Sequence, residues 1–167
     1  LECIRIINEP TAAALAYGLL QRTQTIEITE KTVIVYDFGG GTLDVSLMKI
    51  EGGMFEVLSS CGNTRMGGSD FDNRLMSYAI AKFKKQNNLQ EIKEINNMSL
   101  QKLRLNCEQA KKILSTSMKT QIAVKSFYDE KDLFITVTRQ DFEKICTDLF
   151  LICLKQIDDV LKNCDLG

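Results

Sequence analysis

The chain is 167 residues long, enough for one domain or two small lobes that bury a core. Lys and Arg number 21 against 22 Asp and Glu, and the resulting charge of −1 offers no single-sign field to nucleic acid or to an anionic membrane. Histidine is absent, which excludes Ser-His-Asp and Cys-His nucleophile schemes, HExxH metal sites and a histidine pH switch. The chemistry is left to carboxylates, hydroxyls, Lys, Cys and backbone amides.

Hydrophobic residues at 44% and charged residues at 26% are near globular averages. The longest apolar run, Leu149 to Leu154, is far short of the roughly 20 residues that a membrane span needs, so a soluble protein is expected. The start at Leu1, with no basic region followed by an apolar stretch, reads as an excerpt without a signal peptide. Cys3, Cys61, Cys107, Cys146, Cys153 and Cys164 form no C-x-x-C pair, and several fall at helix-periodic apolar positions. That pattern suits buried free thiols in a reducing compartment, so a cytoplasmic location is expected and the sequon Asn97-Met98-Ser99 stays unmodified.

In chain order, Pro10 opens a helix whose stripe is Ala12, Leu15, Ala16 and Leu19. Thr32 to Phe38 reads as a buried strand, Leu43 to Ile50 alternates as a second, and Phe55 to Ser60 is a third, with Glu51-Gly52-Gly53 as the hairpin turn between the last two. From Ser69 the pattern is helical, with Phe71, Leu75, Tyr78, Ala79 and Phe83 on one face and an end at Gln86, Asn87 and Asn88. Ser99 is the expected N-cap of a helix with the stripe Leu100, Leu103, Cys107, Ala110 and Leu114. Strands over Gln121–Phe127 and Leu133–Val137 flank a polar turn at Tyr128 to Asp132. Thr138 with Asp141 at N3 then caps one last helix through Phe142, Ile145, Leu149, Ile152 and Ile157. The order is mixed α/β.

Three segments can carry chemistry. In Val33 to Val45 an apolar strand leads into Asp37, three glycines (Gly39, Gly40, Gly41), Thr42 and a second strand. Successive glycines present backbone N–H groups that can nest a phosphate, Asp37 suits a hydrated magnesium ion and Thr42 suits a γ-phosphate; a plain hairpin with a Gly-rich turn fits the same pattern. No G-K-[ST] follows, so this is not a Walker A loop. The second segment, Gly62 to Asp72, is a glycine-containing loop entering a helix; it reads either as a site for an anionic group or as an ordinary helix start capped by Ser69 or Asp70. The third is Glu108, Lys111, Lys112 and Ser115, which share one helix face and, on pattern alone, make a solvated charged surface.

Taken together, Ile7-Asn8-Glu9-Pro10-Thr11-Ala12-Ala13-Ala14-Leu15-Ala16-Tyr17-Gly18, the Asp37–Thr42 loop, Met66-Gly67-Gly68-Ser69-Asp70-Phe71-Asp72 and Cys107-Glu108-Gln109-Ala110-Lys111 resemble the second lobe of the ATPase domain of the heat-shock 70-kDa chaperones, over essentially the whole chain. The loop by itself is shared with actin and sugar kinases; the Asn8–Gly18 run is more specific. The resemblance implies an actin-like (ribonuclease H-like) lobe made of residues 1–66 and 146–167, with an α+β subdomain inserted at 67–145. It implies ATP or ADP as ligand, with Asp37 and Glu9 holding Mg²⁺ through water and Asp44 beside a potassium site. Gly39, Gly40, Gly41 and Thr42 then serve the β- and γ-phosphates, and Asp37, Thr42 and Glu9 are the catalytic set. Gly67 and Gly68 fall on the ribose and phosphate side, and Glu108, Lys111, Lys112 and Ser115 at the ribose and adenine.

Departures from the family pattern mark a divergent member. Lys112 stands where an Arg commonly stacks on adenine, Arg65 and Ser69 replace a frequent His and Glu, and the Leu20–Thr32 connection is longer. The family's first lobe and its peptide-binding domain have no counterpart in these residues, so weak nucleotide binding and negligible hydrolysis are expected of this chain, as a monomer. Nucleotide-exchange factors, J-domain co-chaperones and unfolded client peptides are the partners the resemblance implies. Its alternatives are an exchange-factor docking module without ATPase activity and another kinase of the actin superfamily, and it leaves an organelle form open.

Overall fold

The computed structural model describes residues 2–21, 30–52 and 54–164. Most of the Leu20–Thr32 connection, Gly53 of the hairpin turn and the side chain of Leu19 lie outside the described residues. The chain divides into two compact units, residues 1–67 with 152–167, and residues 68–151.

The first unit is a three-stranded antiparallel sheet of β1 (Lys31–Phe38), β2 (Leu43–Glu51) and β3 (Met54–Asn63), in the order β1-β2-β3, preceded by helix α1 (Glu9–Gln21). Pro10 lies in the first turn of α1, where a missing N–H leaves no helical bond unmade, and the turn is closed by Ala12 N–H donating to the Asn8 carbonyl at 2.9 Å. Among the described side chains of α1, Ala14 is buried, while Ala16 of the expected stripe is exposed. The burial expected of β1 belongs to β2. Ile34, Tyr36 and Phe38 of β1 keep 41%, 39% and 38% of their surface, because β1 is an edge strand, whereas Val45, Ser46, Leu47 and Met48 are consecutively buried in the central strand. Gly52 takes φ +57° in the β2–β3 turn, and β3 carries a bulge where Leu47 faces Ser59 but Met48 faces Val57.

In the second unit, α2 (Gly68–Gln86) and α3 (Asn97–Leu114) cover the hairpin of β4 (Lys119–Tyr128) and β5 (Lys131–Thr138). Phe71, Leu75, Ala79 and Phe83 of α2 and Leu103, Cys107, Ala110 and Leu114 of α3 are buried, as their helical spacing predicts. Asn88 at φ +52° ends α2 in a Schellman motif, with Leu89 N–H donating to the Lys84 carbonyl at 3.0 Å. The cap of α3 is Asn96 and not Ser99: its Oδ1 accepts Met98 N–H at 2.8 Å, so the helix starts a turn early. Arg139 satisfies carbonyls at the other end, donating from Nε to Leu114 O at 2.8 Å.

The capping box of Thr138 and Asp141 is formed, but the single last helix is two: α4 (Arg139–Ile145) and α5 (Thr147–Lys162). The hydroxyl of Thr147 donates to the carbonyls of Glu143 and Lys144, competing with backbone donors at that point, and Cys146 leaves helical geometry at φ −113°, ψ 9°. The first unit resumes at Ile152, within α5. The first turn of α5 stays with the second unit because Phe150 packs on Phe71 (5.1 Å) and edge-on to Phe142 (6.1 Å), and Asp148 pairs with Arg74 at 2.5 Å. All six cysteines are free thiols; burial pushes those of Cys107 and Cys146 up to about 12. Among the described residues no helix is long and apolar enough to cross a membrane.

Candidate functional site

The glycine loop closes a hairpin and keeps an open side. Residues 39–42 join β1 to β2, framed by the pairs Asp37–Asp44 and Phe38–Leu43, and Gly39 N–H donates to the Thr42 carbonyl at 2.9 Å. A Cβ at Gly40 or Gly41 would meet nothing within 4 Å, and one at Gly39 only Thr42 at 3.5 Å; none of the three takes a positive φ. Neither the backbone nor the packing of the chain demands glycine at 40 and 41. Bare backbone there makes sense if something outside the chain comes close to it.

Strand pairing puts the carboxylates beside that loop. Asp37, Asp44 and Gly62 form one cross-strand row, and because side chains alternate, the row Val35, Ser46 and Ser60 shares its face. Two carboxylates directly opposite one another repel, a cost that a cation on that face removes. Gly62 is what lets Asp44 lie where it does, since a Cβ at 62 would overlap Asp44 Oδ1. A cleft of about 520 Å³ opens on this face, lined by Asn8, Glu9, Pro10, Asp37, Asp44, Ser46, Ser60, Cys61 and Gly62. Glu9, the first residue of α1, thus joins Asp37 and Asp44 at one cleft. Among the described residues no three His, Cys, Asp or Glu side chains converge into a direct ligand set.

Ser46 and Ser60 are site residues that motif reading missed, and Asn8 and Gly62 stood in the quoted segments with no role assigned at this cleft. The available signal was parity: Ser46 lies two residues beyond Asp44, on the same face of β2. Cys61 belongs to the opposite face by the same parity; its thiol donates to the Gln156 carbonyl of α5 at 3.1 Å and is shifted upward, first by burial and then by Asp159 and Asp44.

Where the chain leaves β3, Asn63 Oδ1 accepts Arg65 N–H at 2.9 Å, and Met66 and Gly67 are buried. A Cβ at Gly67 would overlap the backbone of Gly40 and Gly41. Helix α2 begins at Gly68, so Ser69 and Asp70 lie within its first turn and neither is the N-cap.

The four residues of α3 do not act as one group. Lys112 Nζ lies 2.6 Å from Glu108 Oε1, an i,i+4 pair whose hydrogen bond lowers the Glu108 carboxyl and raises the Lys112 ammonium. Lys111 turns instead to the start of α2, donating to the Gly68 carbonyl at 2.8 Å and pairing with Asp72 at 2.8 Å. Ser115 is the exposed C-cap residue of α3.

Comparison with known proteins matches this arrangement of segments to one family. The family model described as "Hsp70 protein" matches residues 1–167. The chain is 44% identical over 164 residues to "Heat shock cognate 70 kDa protein 3" of Dictyostelium discoideum, covering 97% of this chain and 25% of the relative. It is 44% identical over 163 residues to "Heat shock 70 kDa protein" of Neurospora crassa, covering 98% and 24%. To "Heat shock protein 70 homolog" of Acanthamoeba polyphaga mimivirus it is 45% identical over 166 residues, covering 99% and 17%. The chain therefore spans a quarter or less of the length of these curated relatives.

Proposed function

This chain belongs to the heat-shock 70-kDa family, and on that premise we propose that it supplies the second lobe of an actin-like ATP-binding domain, with the phosphates on residues 39–42 and the metal-facing carboxylates on the cleft beside them. The observation that carries the reading is the meeting of Glu9, Asp37 and Asp44 at one cleft, next to a loop whose glycines 40 and 41 no neighbour requires.

The amides of Gly39, Gly40 and Gly41 receive phosphate oxygens and the Thr42 hydroxyl bonds the γ-phosphate. Asp37 and Glu9 hold Mg²⁺ through water, and Asp44 stands beside a potassium ion. A magnesium ion bound there supplies charge neutralisation on the phosphates. The fit rests on the opposed Asp37–Asp44 pair, which a cation relieves, and on Glu9 lining the same cleft. Gly68, Glu108, Lys111, Lys112 and Ser115 serve the adenosine end, and Gly67 stands beside the phosphates. An ammonium at 112, already held by Glu108, offers no planar surface to adenine, so affinity is weaker than an Arg at that position would give.

In the complete protein, binding and hydrolysis of Mg-ATP between this lobe and another drive binding and release of unfolded peptides in the cytoplasm, with J-domain co-chaperones and exchange factors. The 167 residues by themselves bind nucleotide weakly and turn it over negligibly. Asp37→Asn in the complete protein abolishes peptide-stimulated ATP turnover, measured as phosphate release; turnover that survives the substitution overturns the reading.

A further inference from the structure

We propose that Gly67 is a positioning residue for the phosphate loop: it acts by letting the backbone of Gly40 and Gly41 rest against its own Cα. The proposal builds on the phosphate reading of residues 39–42.

Three glycines near the cleft have opposite steric characters. A Cβ at Gly40 or Gly41 points into open space, whereas one at Gly67 would overlap Gly41 N and Gly40 C and O. Those obstructing atoms are main chain, which cannot swing aside as the end of a long side chain can. Gly41 N is also one of the amides assigned to the phosphate, so a displacement falls on the donor itself.

The segment carrying Gly67 is not free to retreat. Met66 is buried at 2% exposure, and the preceding turn is tied by Arg65 N–H to Asn63 Oδ1 at 2.9 Å. With one side anchored in the core, a methyl group at 67 shifts the loop. Gly67 lies outside the loop in sequence, yet it sets where the loop's amides stand.

The test compares Gly67→Ala with the wild type in the complete protein that contains this chain, titrating each with ATP and with adenosine. ATP affinity is expected to fall about tenfold to a hundredfold, the scale of a small misplacement of binding groups. Adenosine, which has no phosphates to present to the loop, keeps its wild-type affinity. An unchanged ATP affinity, or an equal loss for adenosine, overturns the role of Gly67. A wild type that binds ATP no better than adenosine overturns the phosphate reading itself. Hydrogen exchange on the wild type covers the case in which the variant does not fold. ATP, and not adenosine, slows exchange at residues 39–42 and at Gly67 together; protection of 39–42 alone overturns the proposal.

Discussion

The two compact units bury different things. In the unit built on β4 and β5, Leu75, Ala79, Phe83, Leu103, Cys107, Ala110 and Leu114 from the helices meet Ile122, Val124, Phe127, Leu133, Ile135 and Val137 from the strands in one continuous core. In the unit built on β1, β2 and β3, burial is concentrated on Leu43, Val45, Leu47 and Met48 of the central strand, and the buried set there includes the polar Ser46. Beside Ser46 the sheet face carries Asp44 and Asp37 in place of apolar side chains. One unit is organised by packing; the other gives up packing on part of one sheet face, and that is where the cleft lies.

Paired truncations put the comparison to its hardest test. Phe83 is fully buried, its ring edge-on to Phe127 at 5.2 Å, and Phe83→Ala should cost about 3–5 kcal/mol of unfolding free energy in urea titration. Ile34→Ala, on the exposed edge strand, should cost about 1 kcal/mol or less. Equal losses at the two positions would break the contrast between the units.

A substitution in the cleft sharpens the other half of it. Gly62→Ala drives a methyl group into Asp44 Oδ1, so the carboxylate must turn out of its row. On the proposed function, Mg²⁺-dependent ATP affinity of the complete protein should fall about tenfold, a typical effect of displacing a group that positions an ion. Stability should change little, because Ala replaces a residue that costs strand entropy. A large loss of stability with metal dependence intact would make Gly62 a packing residue like those of the other unit.

The same contrast governs what could be read from residues alone. In the packed unit, helical spacing named Phe71, Leu75, Ala79, Phe83, Leu103, Cys107, Ala110 and Leu114, since a helix on a sheet must bury one stripe. Errors there are local: Asn96 and Ser99 are both good caps, and only chain geometry chooses between them; the Cys146 break depends on one hydroxyl at Thr147. In the other unit the apolar run of β1 predicts burial that an edge strand does not have, because composition does not reveal sheet order. Resemblance named Glu9, Asp37 and Asp44, and register then shows why they share a cleft. Ser46 and Ser60, and the part Gly62 plays beside Asp44, were out of reach because those roles exist only once Asp44 pairs with Gly62 and Ser46 with Ser60.

The smallest expected effect lies in the cap of α4, where stability is local and depends on pH. Thr138 Oγ1 accepts Asp141 N–H at 3.0 Å, while the Asp141 carboxylate accepts the Thr138 hydroxyl at 2.6 Å and its amide at 3.1 Å. Those bonds to Thr138, the hydroxyl first and the amide second, hold the Asp141 carboxyl below its ordinary value. A carboxyl lowered on folding stabilises the folded state above its unfolded value, about 3.9, and loses that contribution as pH falls through its folded value. Thr138→Ala should therefore cost about 1 kcal/mol near neutral pH, and the penalty should shrink in acid as the wild type loses the charged half of the box. Urea titrations of both proteins at pH 7 and at a pH below that unfolded value measure the two gaps. A gap that stays the same size assigns the cap to the hydroxyl alone and removes Asp141 from the balance.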